Sequence, residues 1–155
     1  MIFIHQTSAV LVLLALTLIL QSTGMAALIE WAKVHLPRSR FGPFPSAVLV
    51  VRLTSLIVCL HMLTILLWAC FYRWNCFPTW EAAIYFSATS YSTVGASDLV
   101  LARNWRTVGP VESVTAVLMC GLSASFLFAV VTRLVERDRH AELEEASKNS
   151  TSTLP

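Results

Sequence analysis

The sequence predicts an all-α integral membrane protein with three membrane-spanning helices and a fourth, half-length helix that enters the membrane and returns through a polar loop. Of 155 residues, 56% are hydrophobic and only 13% are charged, whereas a soluble domain carries about a quarter charged residues. The mean hydropathy is +0.68. Three apolar runs are each long enough to cross about 30 Å of hydrocarbon, and one further apolar piece is too short. The lipid bilayer is therefore the expected surroundings of the chain.

The first apolar run predicts an N-terminal transmembrane helix within residues 1–34. Residues 9–20 are apolar apart from Thr17. The alternative is a secretory signal peptide cleaved near Ala26, but residues 1–7 contain no Lys or Arg, which a signal peptide normally has. The absence of that charge favours a retained span.

A connector at residues 35–46 and a second span at residues 47–72 follow. The connector contains three prolines and a glycine, which end a helix, and two arginines, which favour water. The second span carries one charge, Arg52, close to its start, where a long side chain can reach the interface. Its far end is rich in aromatic residues, as at a membrane interface. The aromatic residues are Trp68, Phe71, Tyr72 and Trp74.

A half-length helix is predicted at residues 79–89. Thr79 is a suitable N-cap, and Glu81 places a negative charge in the first turn, where it favours the helix dipole. At 1.5 Å per residue, about 11 residues span about 16 Å, which is half a bilayer. The polar stretch at 92–98 comes next, and irregular backbone is tolerated in a membrane only where it is buried in protein or lines a water-filled path. An amphipathic, interfacial segment at 99–106 then leads back to the third span.

The third span is predicted at residues 110–135, and a tail follows at 136–155. Glu112 lies in the first turn, and Gly121 near the middle is followed by small residues. Such residues permit either close helix packing or a bend, so Gly121 is a candidate hinge. The tail has mixed charge and then a polar end, which predicts one or two helical turns followed by disorder.

The distribution of Lys and Arg predicts the orientation. Three spans place the connector and the tail on one face, which carries more Lys and Arg than the face of the half-length helix. Because cytoplasmic loops carry the excess of these residues, we expect the N-terminus outside and the C-terminus in the cytoplasm.

The remaining polar residues predict little catalytic or metal chemistry. The four cysteines show no C-x-x-C spacing and no spacing with histidine suited to zinc. Cys70 and Cys76 could form a disulfide at an oxidising face, or stay as two free thiols. His61, inside an apolar span, is expected to be hydrogen-bonded in the interior, and it and Glu112 are the membrane-embedded titratable candidates besides Arg52. An enzyme is not predicted, and the net charge of +2 gives no reason to expect a nucleic acid partner.

The span, half-length helix, Thr-Val-Gly-x-x-Asp loop and second span at residues 47–135 resemble the pore-loop cation channels related to potassium channels. The resemblance extends to small bacterial potassium-channel-like proteins with an additional N-terminal span. It implies a homotetramer in the bacterial plasma membrane, with a selectivity filter at the loop. The implied filter residues are Ser92, Thr93, Val94, Gly95, Ala96 and Ser97, with Asp98 at the outer pore mouth.

The resemblance implies that monovalent cations, K⁺ or Na⁺, pass along backbone carbonyls of Thr93, Val94 and Gly95. No other cofactor is expected. Ala96 and Ser97 stand where the family has a bracing Tyr and a second Gly, so we expect weakened potassium selectivity. Tyr85, Phe86, Tyr91 and Trp105 are candidates to replace the brace. The resulting hypothesis is a tetrameric cation channel with a divergent filter, and the alternative is a non-conducting scaffold or accessory subunit.

Overall fold

The computed structural model describes residues 2–35, 43–96 and 98–152, and in these residues the chain is helical with no strand. The elements are α1 (Ile2–His35), α2 (Pro43–Asn75), α3 (Trp80–Tyr91), a short 3-10 turn (Arg103–Trp105) and α4 (Val108–Ser152). In the described residues, three stretches are long and apolar enough to cross a membrane, Thr7–Val34, Ser46–Asn75 and Arg103–Arg137. The predicted all-α fold with three spans is confirmed.

The contacts of α3 show that it runs back alongside α2 to about the middle of that helix. Phe77, just before α3, packs on Tyr72 near the end of α2. Tyr91, at the other end of α3, hydrogen-bonds His61, which lies well inside the Ser46–Asn75 stretch. The chain then returns, because the Trp105 ring packs edge-on against Phe71 with centroids 5.3 Å apart. The chain therefore leads into the half-length helix, and returns after it, at the same end of α2.

Thr79 caps the start of α3, as the sequence predicted. Its backbone is extended, and its hydroxyl oxygen accepts a hydrogen bond from the Ala82 N–H at 3.3 Å. The cap satisfies one of the donors that a helix N-terminus leaves unpaired. It fixes the residue at which the chain turns back toward the membrane interior.

One face of α1 packs against α2 and α4. Its buried side chains recur at helical spacing and include the polar Thr17 and Gln21 as well as Leu13 and Leu28. Gly24 lies on the same side, and a Cβ there would come within 2.5 Å of a Leu60 methyl group. The N-terminal span is thus fitted closely to the rest of the chain.

The third span and the tail form one continuous helix. The sequence predicted one or two helical turns after Glu136, whereas α4 continues to Ser152. Residues 137–148 contain helix-favouring Arg, Ala, Leu, Glu and Lys without Gly or Pro, which explains the continuation. The 99–106 segment forms only the short 3-10 turn at 103–105.

Candidate ion-conduction site

The backbone of the polar loop after α3 alternates in handedness. Thr93 has a φ of 63° and Gly95 a φ of 76°, and no other described residue has a positive φ. The N–H of Thr93 donates to the Ser90 carbonyl at 3.0 Å, and the N–H of Gly95 donates to the Thr89 carbonyl at 2.9 Å. Alternate peptide units of the loop are therefore tied by their N–H groups to the end of α3.

These bonds determine where two loop carbonyls point. In a trans peptide the N–H and the C=O of one unit point in opposite directions, and no described peptide bond is cis. Since the N–H groups of Thr93 and Gly95 point toward α3, the carbonyls of Ser92 and Val94 point away from it. Carbonyl oxygens directed away from the supporting helix are available to replace the hydration shell of a cation.

Thr93 adopts a conformation that a β-branched residue rarely takes. Positive φ is uncommon for any residue with a Cβ, and a strained backbone residue of this kind costs about 1–3 kcal/mol. Gly95 has no Cβ and takes the same region without that cost. The loop therefore concentrates strain at Thr93, where backbone bonds to α3 hold it.

The side chains of the loop are exposed in the single chain. Val94 is 78% exposed although it is apolar, and Ser92, Thr93 and Gly95 are also exposed. The Ser92 hydroxyl donates to the Thr89 carbonyl at 3.2 Å and so stays close to the end of α3. The exposed loop surface has the composition of a segment that faces other copies or a water-filled path.

A cavity of about 380 Å³ lies beside Ala96. It is bounded by Phe86 on α3, by loop residues before and after Ala96 and by the first turns of α4, including Ser113. The Ala96 side chain is half-buried against the apolar cluster that contains Trp68 and Phe86. A larger side chain at position 96 thus has space to occupy.

The four aromatic candidates for a brace have different positions. Phe86 lines the cavity, whereas Trp105 packs on Phe71. Tyr91 is engaged with His61. Tyr85 is 43% exposed and lies near Asp98 at the far end of the loop. Ser97 lies outside the described residues.

Behind the loop, a buried carboxyl joins three helices. Glu112 of α4 is 0% exposed. Its Oε2 accepts a hydrogen bond from the Tyr72 hydroxyl of α2 at 2.8 Å, and its Oε1 lies 2.6 Å from the Ser87 hydroxyl of α3. Ser87 also donates to the Ile65 carbonyl at 2.9 Å. We call Tyr72, Ser87 and Glu112 the Glu112 cluster.

The number of hydrogen-bond donors in this cluster favours a protonated Glu112 carboxyl. Ser87 has one hydroxyl proton but two oxygen partners. If that proton goes to the Ile65 carbonyl, the Glu112 carboxyl must supply the proton of its own contact with Ser87. Every member then has a partner, which is the stable arrangement for a buried polar network.

A second set of polar side chains crosses the interior nearer the middle of the spans. His61 Nδ1 lies 2.7 Å from the Tyr91 hydroxyl, and His61 Nε2 lies 3.1 Å from Ser123 Oγ. Gln21 Nε2 donates to the same Ser123 Oγ at 3.2 Å. We call Gln21, Ser123, His61 and Tyr91 the Gln21 line. The prediction that His61 is a hydrogen-bonded interior residue is confirmed.

Sequence reasoning identified Glu112 and His61 but missed their partners. A Ser in a short helix or a Gln at the interruption of an apolar run carries no signal of which helix it contacts. The candidate hinge Gly121 lies in uninterrupted helix, and a Cβ there would meet nothing within 4 Å. The four cysteines, all within the described residues, are free thiols.

A family model described as "Ion channel" matches residues 56–133 of the chain. The matched range contains most of α2, all of α3, the loop and the apolar part of α4, and it excludes α1. Neither the curated proteins nor the solved structures gave a match to the chain.

Proposed function

This chain belongs to the ion channel family, within the potassium-channel superfamily, and from that premise we propose that four copies form a cation pore lined by the loop from Ser92 to Ser97. Backbone orientation in the loop supports the proposal most. The carbonyls of Ser92 and Val94 point away from α3, and around a fourfold axis they would form stacked rings of oxygen. The permeant ions are monovalent cations, for which Thr93, Val94 and Gly95 are the implied carbonyl ligands, and of these three the bonds to α3 orient the Val94 carbonyl.

Two further features of the loop favour cations over anions. The C-terminal end of α3 carries a partial negative charge and is directed toward the loop. Asp98, at the far end of the loop, adds a full negative charge that raises the local cation concentration. Weak discrimination between K⁺ and Na⁺ follows from Ala96, since the adjacent cavity leaves the loop without a bracing ring.

The protein is a multi-pass membrane protein, and its orientation forms part of the proposal. The excess of Lys and Arg at the connector and the tail favours an outer N-terminus and a cytoplasmic C-terminus. The loop then faces the outside of a bacterial plasma membrane. A cysteine introduced at exposed Thr107 and labelled from the outside by a membrane-impermeant maleimide tests this orientation.

The cavity beside Ala96 also supports a second candidate, a non-conducting scaffold or accessory subunit that keeps the channel fold. A non-conducting subunit would not need a pore of fixed width at the loop. The absence of a bracing ring at position 96 would therefore not impair its function. The two candidates differ in one measurement, the flux of ions through the purified protein.

The deciding experiment is cation flux into proteoliposomes that contain protein verified as a tetramer. We expect K⁺ and Na⁺ to enter at comparable rates and a large organic cation to be excluded. Flux no greater than in protein-free vesicles would contradict the channel and favour the scaffold. A monomer or dimer in the membrane would contradict the fourfold pore itself.

Two glycine variants test whether the loop determines the ion ratio. Nothing lies within 4 Å of a Cβ at Gly95 or at Gly121, but only Gly95 has a positive φ. Gly95→Ala therefore adds strain of about 1 kcal/mol without a clash and should change the K⁺/Na⁺ flux ratio. Gly121→Ala is the matched control, because Gly121 lies in regular helix where an added Cβ meets nothing within 4 Å, and this change should leave the ratio unaltered.

Two changes at the loop separate bracing from surface charge. The double variant Ala96→Tyr with Ser97→Gly should raise the preference for K⁺, because a tyrosine ring can occupy the cavity. An unchanged ratio would contradict the bracing role of position 96.

Asp98→Asn should reduce conductance at low salt and have little effect near 1 M, where the Debye length is about 3 Å.

A further inference from the structure

We propose that the N-terminal span positions the filter through the Gln21 line, with Gln21, Ser123 and His61 acting as positioning residues for Tyr91. The inference rests on the proposed function, since it assigns a role toward the ion-conducting loop. It concerns α1, which lies outside the region matched by the ion channel family. An additional span of this kind could otherwise be a simple membrane anchor.

The line contains one residue from each of the four long or half-length helices. Gln21 is on α1, Ser123 on α4, His61 on α2 and Tyr91 on α3, and three hydrogen bonds join them in sequence. Tyr91 directly precedes Ser92, the first filter residue. A displacement of α1 therefore reaches the residue that holds the end of the filter.

Donor counting assigns a direction to the bonds. Gln21 Nε2 can only donate, so the Ser123 oxygen accepts from it, and the Ser123 proton has His61 Nε2 as its acceptor among the described residues. His61 then carries its ring proton on Nδ1 and donates it to the Tyr91 hydroxyl oxygen. The tautomer is assigned from this network.

The burial and incomplete hydrogen bonding of the Gln21 side chain support a positioning role for it. Gln21 is 2% exposed, and its Oε1 has no hydrogen-bond partner among the described residues. An apolar residue of similar size would avoid that unpaired acceptor. What the amide adds at this position is its N–H bond to Ser123.

The neighbouring contacts of α1 hold Gln21 in register. One turn before it, the Thr17 hydroxyl accepts a hydrogen bond from Trp68 Nε1 of α2 at 3.0 Å. Gly24, three residues after it, allows the close approach of Leu60. Gln21 is thus fixed on both sides, which a positioning residue requires.

The test is a double-mutant cycle read by the K⁺/Na⁺ flux ratio of the reconstituted full-length tetramer. Gln21→Leu and Tyr91→Phe share no direct bond, so independent effects would multiply in the double variant. If the line operates, each single change alters the ratio by about threefold, the scale of one interhelical hydrogen bond in a membrane. The double variant should then show no further change.

Matched controls separate positioning from general loss of polarity. Thr23→Val removes a hydroxyl from an exposed position on α1, and Ser125→Ala removes one that bonds only the Gly121 carbonyl of its own helix. Both should leave the ratio unchanged, whereas Ser123→Ala should change it and Ser123→Thr should restore it. A multiplicative double variant, or an unchanged ratio in Gln21→Leu, would overturn the proposal.

A spectroscopic readout keeps the test independent of conduction. In protein labelled with ¹⁵N-histidine, His61 is assigned by the signals lost in His61→Gln. We expect a neutral ring protonated at Nδ1, and a shifted Nε2 signal in Gln21→Leu but not in Thr23→Val. Unchanged His61 signals in Gln21→Leu would contradict the proposed coupling of Gln21 to His61. Absence of flux with an intact line would instead contradict the proposed function alone.

Discussion

The Glu112 cluster and the Gln21 line both hold α3, but they are built differently. The Glu112 cluster joins α2, α3 and α4, all within the region matched by the family, and each of its polar groups has a partner. The Gln21 line includes α1 and leaves one buried acceptor, Gln21 Oε1, unpaired. The Glu112 cluster is thus a fully paired support of α3, whereas the Gln21 line is an added connection whose unpaired acceptor costs some stability.

The largest expected effect is at Glu112. Glu112→Ala leaves the buried Tyr72 hydroxyl without its acceptor and opens a cavity, so we expect a loss of about 3 kcal/mol in the free energy of unfolding. Glu112→Gln retains one donor and one acceptor and should stay within about 1 kcal/mol of wild type. Thermal unfolding in detergent measures both. An equal loss in the two variants would show that the carboxylate charge is needed.

An intermediate effect is expected where α1 approaches α2. Gly24→Val introduces side-chain atoms where Leu60 lies and should destabilise the protein by about 2 kcal/mol through overpacking. Adding Leu60→Ala makes space and should recover part of that loss. If Leu60→Ala instead adds its own loss in full, the close approach of the two helices is not the cause.

A smaller effect is expected from the bond between Thr17 and Trp68. Thr17→Val removes the acceptor of the Trp68 indole N–H with little change of shape, and interhelical hydrogen bonds in membranes contribute about 0.6 kcal/mol. Thr23→Val, exposed on the same helix, should cost nothing measurable. A loss of several kcal/mol at Thr17 would place α1 among the structural supports and remove the contrast with Glu112.

The smallest expected effect is on the chemical reactivity of the Cys76 thiol and not on the free energy of unfolding. Burial raises the pKa of the Cys76 thiol to about 11, and the thiolate is the form that reacts with a maleimide. Labelling of Cys76 should therefore accelerate about tenfold per pH unit between pH 8 and 10. Glu112→Ala should accelerate it further, because Cys76 packs near Tyr72, whereas Gln21→Leu should not. Equal acceleration in both variants would contradict the separation of the two networks.

The sequence was sufficient for the spans, the Thr79 cap and the family, because each depends on local composition or on a short motif. Apolar length predicts a span wherever it lies, and Thr79 bonds a residue only three positions away. The partners of Glu112 and Gln21 could not be predicted, since a hydrogen bond between helices depends on their relative rotation. The continuous α4 was underestimated because a charged tail favours helix or disorder by small differences in propensity.

The bond between Gln21 and Ser123 also bears on how the chain is made. Its two residues are 102 positions apart, while the Trp68 partner of Thr17 is only 51 positions away. During synthesis α1 can therefore pair with α2 early, but the Gln21 amide must wait in the lipid until α4 has been inserted. Polar groups exposed to hydrocarbon promote association with other helices. Chains that stop before Ser123 should accordingly leave the Gln21 amide unpaired in the lipid. Membrane quality control can recognise such a chain as incompletely assembled.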